Sequence, residues 1–312
     1  MPTILVTGAA GFAGGHVIDL LVRDRPDADI VAWHRPQGTP PRDVPRVRWE
    51  AVDLLDADTV TAAIARTRPA LVYHCAGEPH VGHSWNQIEA TFAANVRGTH
   101  RLLDALRRAE VLARVVVPSS AMVYQPSSAA MGEEQPLLPP SPYGLSKLAQ
   151  EMLARRSVGR LLTITIARPF NHVGPRQRPS FAASSFARQI AEIEAGRRSP
   201  EILVGNLGAR RDLTDVRDTV RAYQAIVERG RPGRAYNVCS GEAIAIGDLL
   251  DLLVARARVR VNVRVDAARY QPHDLPVVVG DPSRIRDELG WRPQIPLAQT
   301  ADDLLNYWRS AV

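Results

Sequence analysis

Tyr143 and Lys147 stand four residues apart in Ser141-Pro142-Tyr143-Gly144-Leu145-Ser146-Lys147, and Lys147 is the single lysine among 39 basic residues. Arginine serves everywhere else that a positive charge is needed. Position 147 therefore asks for what arginine lacks, a compact ammonium on a slim stem. Positions i and i+4 share one face of a helix. An ammonium beside a phenol favours the phenolate and lowers its pKa from about 10. That would make Tyr143 a proton donor and acceptor near neutral pH. Taken alone, the spacing equally describes a chance pair on a helix, so its meaning depends on the surrounding elements.

The second chemical signal is Thr7-Gly8-Ala9-Ala10-Gly11-Phe12-Ala13-Gly14, between an apolar strand and a helix. Gly8, Gly11 and Gly14 permit a tight turn, close approach of backbone to a pyrophosphate, and close helix–strand contact. The helix start offers free N–H groups to the anion. At the first strand–turn–helix of an alternating chain this pattern indicates a dinucleotide. An acid ending the second strand would accept from the 2′-hydroxyl of NAD. Here His34 and Arg35 occupy that place. Arg35 can grip a 2′-phosphate through two parallel hydrogen bonds, so NADP(H) is expected over NAD(H), the alternative being a solvated Arg35. Asp53 is placed to reach the adenine, and His74-Cys75-Ala76-Gly77 to line the groove. His74, His80 and His83 lie close in sequence, but no carboxylate or thiolate completes a ligand set with them beyond Cys75, on the opposite strand face, and no metal is expected.

These groups need a parallel sheet to position them. Strands are expected at Thr3–Thr7, Ile30–His34, Val47–Val52, Ala70–Cys75, Ala113–Pro118 and Leu162–Arg168. Helices are expected at Phe12–Arg23, Ala57–Arg66, Gln87–Arg108 and from Tyr143. Apolar strands alternating with helices predict an α/β fold, a Rossmann-type doubly wound parallel sheet. After residue 170 the texture becomes irregular, with a helix at Val216–Arg229, a short strand at Ala235–Cys239 and a last helix at Leu297–Arg309. The expected organisation is a nucleotide-binding domain over 1–170, joined by 216–240, and a smaller mixed α/β substrate domain over 171–215 and 241–312. The segment Gln125–Pro142 is too long and aperiodic for an idle connection.

With 312 residues, 45% hydrophobic content and two cysteines, the chain reads as a globular cytoplasmic protein without a disulfide framework. No apolar run reaches membrane-span length, and the first residues lack a basic leader. The net charge of +6 is scattered among acids, so an anionic small molecule is expected as partner and nucleic acid is not. The densest basic stretch, Arg256 to Arg264, alternates as a strand with one wet face.

With these motifs in place, the chain resembles the extended short-chain dehydrogenases/reductases. The match also includes Asn95-Val96-Arg97-Gly98-Thr99, Ser119-Ser120-Ala121-Met122-Val123-Tyr124 and Arg168-Pro169-Phe170-Asn171-His172. Arg168 to Arg176 and Gly205 to Asp212 are most similar to the GDP-sugar branch, which holds GDP-mannose 4,6-dehydratases and GDP-4-keto-6-deoxymannose reductases. The resemblance implies a triad of Ser120, Tyr143 and Lys147, with Ser119 as an alternative hydroxyl. It implies cofactor contacts from Gly8, Gly11, Phe12, Ala13, Gly14, His34, Arg35, Asp53, Leu54, Cys75, Ala76, Gly77, Asn95, Tyr143, Lys147 and Pro169. Asn95 would support Lys147 through water, or simply pack its helix. The sugar nucleotide would meet Ser84, Ser120, Asn171, Arg176, Asn206, Arg211 and Arg269, unless Arg211 pairs with Asp212 or Asp215. A second diphosphate arginine of the family is replaced by Gln271, leaving the nucleotide open between GDP and another. Dehydratases of the family carry a carboxylate where this chain has Ala121 and Met122. The implied activity is therefore NADPH-dependent reduction of the C4 ketone of a GDP-4-keto-6-deoxyhexose, giving GDP-D-rhamnose or its C4 epimer. A 4-epimerase, a 4,6-dehydratase and a non-catalytic cofactor-binding regulator are the alternatives. Relatives imply a homodimer or homotetramer.

Overall fold

The computed structural model describes residues 2–37, 43–270 and 275–312. Its centre is built from aliphatic and β-branched runs, which favour strands buried on both faces. These are β1 (Thr3–Thr7), β2 (Asp29–His34), β3 (Val47–Ala51), β4 (Leu71–His74), β5 (Ala113–Pro118) and β6 (Leu162–Pro169). With the strand Ala235–Val238 they form a seven-stranded parallel sheet, in which that strand pairs β6 and the order continues β5, β4, β1, β2, β3. The order reverses between β1 and β4, where Thr7 faces His74. A crevice outside the carboxyl ends of strands at such a reversal is where α/β sheets bind ligands.

Two apolar layers cover the sheet. One joins the helix Phe12–Asp24 and the helix Val216–Arg229 through Val17, Leu21, Val220 and Ile226. The other includes Leu102, Leu103 and Leu106 of the helix Gly98–Arg108. Ile285, Leu289 and Trp291 pack in the first layer. Asp218 accepts from the backbone N–H of Gln294 and Ile295, which fastens this late segment to the sheet side. A separate core gathers Phe186, Ile190, Leu249, Leu253 and Leu304 beyond the sheet. It contains two helices that sequence periodicity did not reveal, Ala182–Glu194 and Ile246–Val254. The short strand β7 (Asn171–Val173) pairs with the strand Arg210–Asp215 beside this core.

Two expectations change. The helix over Gln87–Arg108 is broken by a π segment, Ala93–Arg97, that turns Asn95 inward. The strand expected through Arg256–Arg264 shrinks to Asn262–Val265, and all four residues are exposed, so no dry face exists. Residues 255–260 are turn and irregular backbone. The long loop after Gln125 is fastened: Met131 bridges to Gly280, and Asn237 donates to Met131 O.

Candidate active site

Local chemistry starts the helix that carries Tyr143 and Lys147. Ser141 is its N-cap and accepts from Gly144 N, while Pro142 fills the first turn. Gly144 is needed there because a Cβ would lie 2.2 Å from Met122 O. That contact holds the helix against the short turn Ala121–Val123, whose N-cap is Ser120. Ser120 is thereby brought beside the Tyr143 side chain. All three triad residues are buried, Tyr143 at 9%, Ser120 at 8% and Lys147 at 7% exposure. Ser119 Oγ is buried with no hydrogen-bond partner among the described residues.

The expected lowering of the phenol by the ammonium does not appear. Burial pushes Tyr143 up to about 12, Ser120 pulls it back, and the Glu78 carboxylate raises it further. Lys147 itself is driven down to about 8, chiefly by burial, with Glu151 opposing. Its Nζ donates to Pro118 O at 2.6 Å. The tyrosine is thus held protonated, and the lysine is the more acidic partner.

A polar chain links this helix to the glycine turn. Gln150 Nε2 donates to Thr99 Oγ1 at 2.7 Å, and Thr99 Oγ1 donates to Asn95 O. Thr99 Oγ1 therefore accepts from His74 Nε2 at 2.8 Å, which fixes the tautomer. His74 Nδ1 then accepts from Thr7 Oγ1 at 2.8 Å, and Thr7 Oγ1 accepts from Ala76 N. Burial drives His74 down to about 3, with Lys147 adding to the effect. The neutral ring is a strut, which removes His74 from any metal set.

The glycine turn fits a dinucleotide. Gly8 has φ +64°, and a Cβ on it would lie 2.6 Å from Ala76 backbone. The helix Phe12–Asp24 begins at Gly11, itself exposed, with no side-chain cap over its free N–H groups. Phe12 stacks on His172 with centroids 5.6 Å apart. Gly14 is buried, and a Cβ there would lie 2.2 Å from Gly8 O. Arg35 is exposed beyond β2, and its carbonyl receives His34 Nδ1. Asp53 Oδ1 holds Leu55 N, and Leu54 packs towards Gly98. Cys75, Ala76 and Gly77 leave β4 towards Asn95, and Pro169 closes β6.

Some sequence-derived roles change. Asn95 is fully buried; it accepts from Glu78 N and donates to Ser146 Oγ, so it clamps the loop after β4 to the tyrosine helix. Ser84 is also fully buried. It donates to Val81 O and accepts from Tyr143 N, which makes it a positioning group without a face open to a sugar. Arg176 pairs with Asp19 at 2.5 Å, next to the glycine-turn helix. Asn206 Oδ1 holds Gly208 N, and Arg269 pairs loosely with Asp266 while its backbone crowds Gly205. Asn171 and Arg211 lie on paired strands, with Asn171 opposite Leu213. Asp212 binds Ser240, Gly241 and Gly280, and Asp215 binds Arg217 and Thr300. Gln271 lies outside the described residues.

The GDP-mannose 4,6-dehydratase family profile matches residues 5–304. The chain belongs to that family. Among its relatives is GDP-6-deoxy-D-mannose reductase of Pseudomonas aeruginosa, 34% identical, covering 99% of this chain and 98% of the relative. A dTDP-glucose 4,6-dehydratase of Streptomyces griseus is 32% identical over 95% of this chain and 90% of its own length. A solved structure of RMD from Pseudomonas aeruginosa complexed with NADPH superposes with TM-score 0.88 at 31% identity, covering all of both chains. UDP-glucuronic acid 4-epimerase from Bacillus cereus, in complex with UDP-glucuronic acid and NAD, gives 0.87 at 25% identity, covering 99% of this chain and all of that one. The family thus shares one scaffold across reduction, elimination and epimerisation.

Proposed function

We propose that this protein reduces the C4 ketone of a GDP-linked 4-keto-6-deoxyhexose, drawing on NADPH in preference to NADH. The observation that carries the reading is the Ser120–Tyr143 pair beside Lys147, followed by Ala121 and Met122, neither of which can move a proton. Similarity to the Pseudomonas aeruginosa reductase supports the same activity.

When bound, the reduced nicotinamide supplies the hydride. Ser120 donates a hydrogen bond to the ketone oxygen, and Tyr143 delivers the proton that oxygen needs as it becomes a hydroxyl. A tyrosine held near pKa 12 starts the reaction as a donor. The resulting phenolate recovers its proton from Lys147, the stronger acid at about 8. A placed general acid contributes about 10²- to 10⁴-fold. Gly8, Gly11 and Gly14 would cradle the pyrophosphate, Arg35 would hold the 2′-phosphate, and Asn171 and Arg211 would receive the sugar-nucleotide diphosphate. Self-association into a dimer or tetramer is consistent with exposed Leu145 and Met152 on the tyrosine helix.

Elimination would need a carboxylate at the sugar, and the positions after Ser120 hold Ala121 and Met122 instead. Incubation with NADPH and GDP-4-keto-6-deoxymannose should consume the reduced cofactor and yield a GDP-6-deoxyhexose by NMR. Consumption of GDP-mannose without added reductant would overturn the reading.

A further inference from the structure

Outside the triad, the fold assembles a second group of chemically competent side chains. Glu78, His80 and His83 come from the loop after β4 and the short helical turn Val81–Ser84, and one ligand atom of each lies within 4.8 Å of the others. The two imidazoles have centroids 4.5 Å apart. His80 is buried and lies against the Phe181 ring at 4.8 Å and 20°, so its plane is set by packing. Glu78 is held at its backbone, where Asn95 Oδ1 accepts its N–H at 2.8 Å. His83 is exposed and can rotate inward. The loop's position is thus fixed while its three donor groups point to one space. The sequence places His74 near His80 and His83, where no metal is expected; in the fold Glu78, not His74, joins the two imidazoles.

We infer that Glu78, His80 and His83 form a binding site for a divalent transition-metal ion at the edge of the active site. Two imidazoles and one carboxylate suit Zn²⁺ and its neighbours and disfavour Mg²⁺ or Ca²⁺, which take oxygen ligands. Zinc holds such donors at about 2.0–2.2 Å, so ligand atoms that lie within 4.8 Å of one another must draw closer together to close the set. Three protein ligands leave a fourth position open to water or to a ligand oxygen. Ser84 ends the same helical turn and accepts from Tyr143 N, so the ion would sit one residue from a group that positions the phenol.

The test uses the purified full chain, stripped with a chelator and titrated with Zn²⁺ in a calorimeter. One equivalent should bind, and Co²⁺ in its place should give a visible d–d spectrum. His83→Ala changes an exposed side chain and should leave the fold intact. It should weaken zinc binding at least about tenfold, the lower end of what losing even a supporting group costs a metal site. Glu78→Gln should weaken it comparably, and His100→Ala, at an exposed histidine outside the cluster, should leave it unchanged. Wild-type affinity in both His83→Ala and Glu78→Gln, or no zinc uptake by the wild-type chain, would overturn the assignment.

Discussion

Arg168 and Glu151 form a bidentate ion pair in which both side chains are 1% exposed, with Nε–Oε1 at 2.9 Å and Nη2–Oε2 at 2.7 Å. Arg168 lies on β6 and also donates to Tyr124 Oη and Glu133 O. Glu151 lies one turn beyond Lys147 on the tyrosine helix. The pair fixes that helix against the sheet and ties in the long loop after Gln125. Removing one partner of a buried pair strands the other charge and costs about 3–5 kcal/mol. Arg168→Met should therefore lower the denaturation midpoint sharply, and Arg168→Met with Glu151→Leu should recover part of the loss. Equal stability of the single and double variants in urea titration would refute this account.

Gly144→Ala should act on geometry. The added methyl meets Met122 O at 2.2 Å, and backbone on either side must move. The Ser120 turn and the Tyr143 helix then separate. The expected result is a kcat reduced at least about tenfold with NADPH affinity nearly unchanged.

Lys147 should impose a pH limb on the free protein. Its pKa is lowered to about 8, so the ammonium that would grip the cofactor is lost as pH rises through that value. NADPH affinity, followed by cofactor fluorescence, should fall above about pH 8. In Lys147→Met the affinity should be weaker and the limb absent. Lys147→Arg should nearly abolish turnover, because a planar fork does not fit where Nζ meets Pro118 O.

His74 should make the fold acid-sensitive. Its folded pKa, about 3, lies below the unfolded value of about 6.5. Its contribution is complete above the unfolded value and is withdrawn as pH falls from there towards 3, because the unfolded chain binds the proton first. His16, lowered to about 4 mainly by burial and by Arg176, adds to the same trend. His74→Asn should show lower stability at pH 8 but a shallower decline between pH 6.5 and 4. An unchanged slope would remove His74 as a cause.

Arg35→Asp should weaken NADPH more than NADH. Equal losses for the two cofactors, measured by titration, would assign the 2′-phosphate to another group.

The sheet and the glycine turn were legible because period and punctuation are local properties, and β1 and β5 keep the bounds that their apolar runs suggest. Spacing and a lone lysine point to Tyr143 and Lys147, the family resemblance adds Ser120, and the fold buries all three. What stayed hidden depends on distant contacts. Glu78 is an ordinary acid in sequence; only the return of the tyrosine helix gives it a role. Asn95 and Ser84 look like ligand groups by type, yet both are consumed in holding that helix. The phenol's direction of shift was misread because spacing reports a neighbour and says nothing of burial.

The π segment at Ala93–Arg97 has a consequence for how this scaffold tolerates change in length. A single extra residue in a turn advances the helix phase by about 100°. Here that offset lets Asn95 face the loop at Glu78 while Leu102, Leu103 and Leu106 still face the sheet. Shortening the segment by one residue would give a more regular spiral and spin Asn95 away from Glu78 and Ser146. The irregular turn is what allows one rod to serve two partners set at incompatible angles.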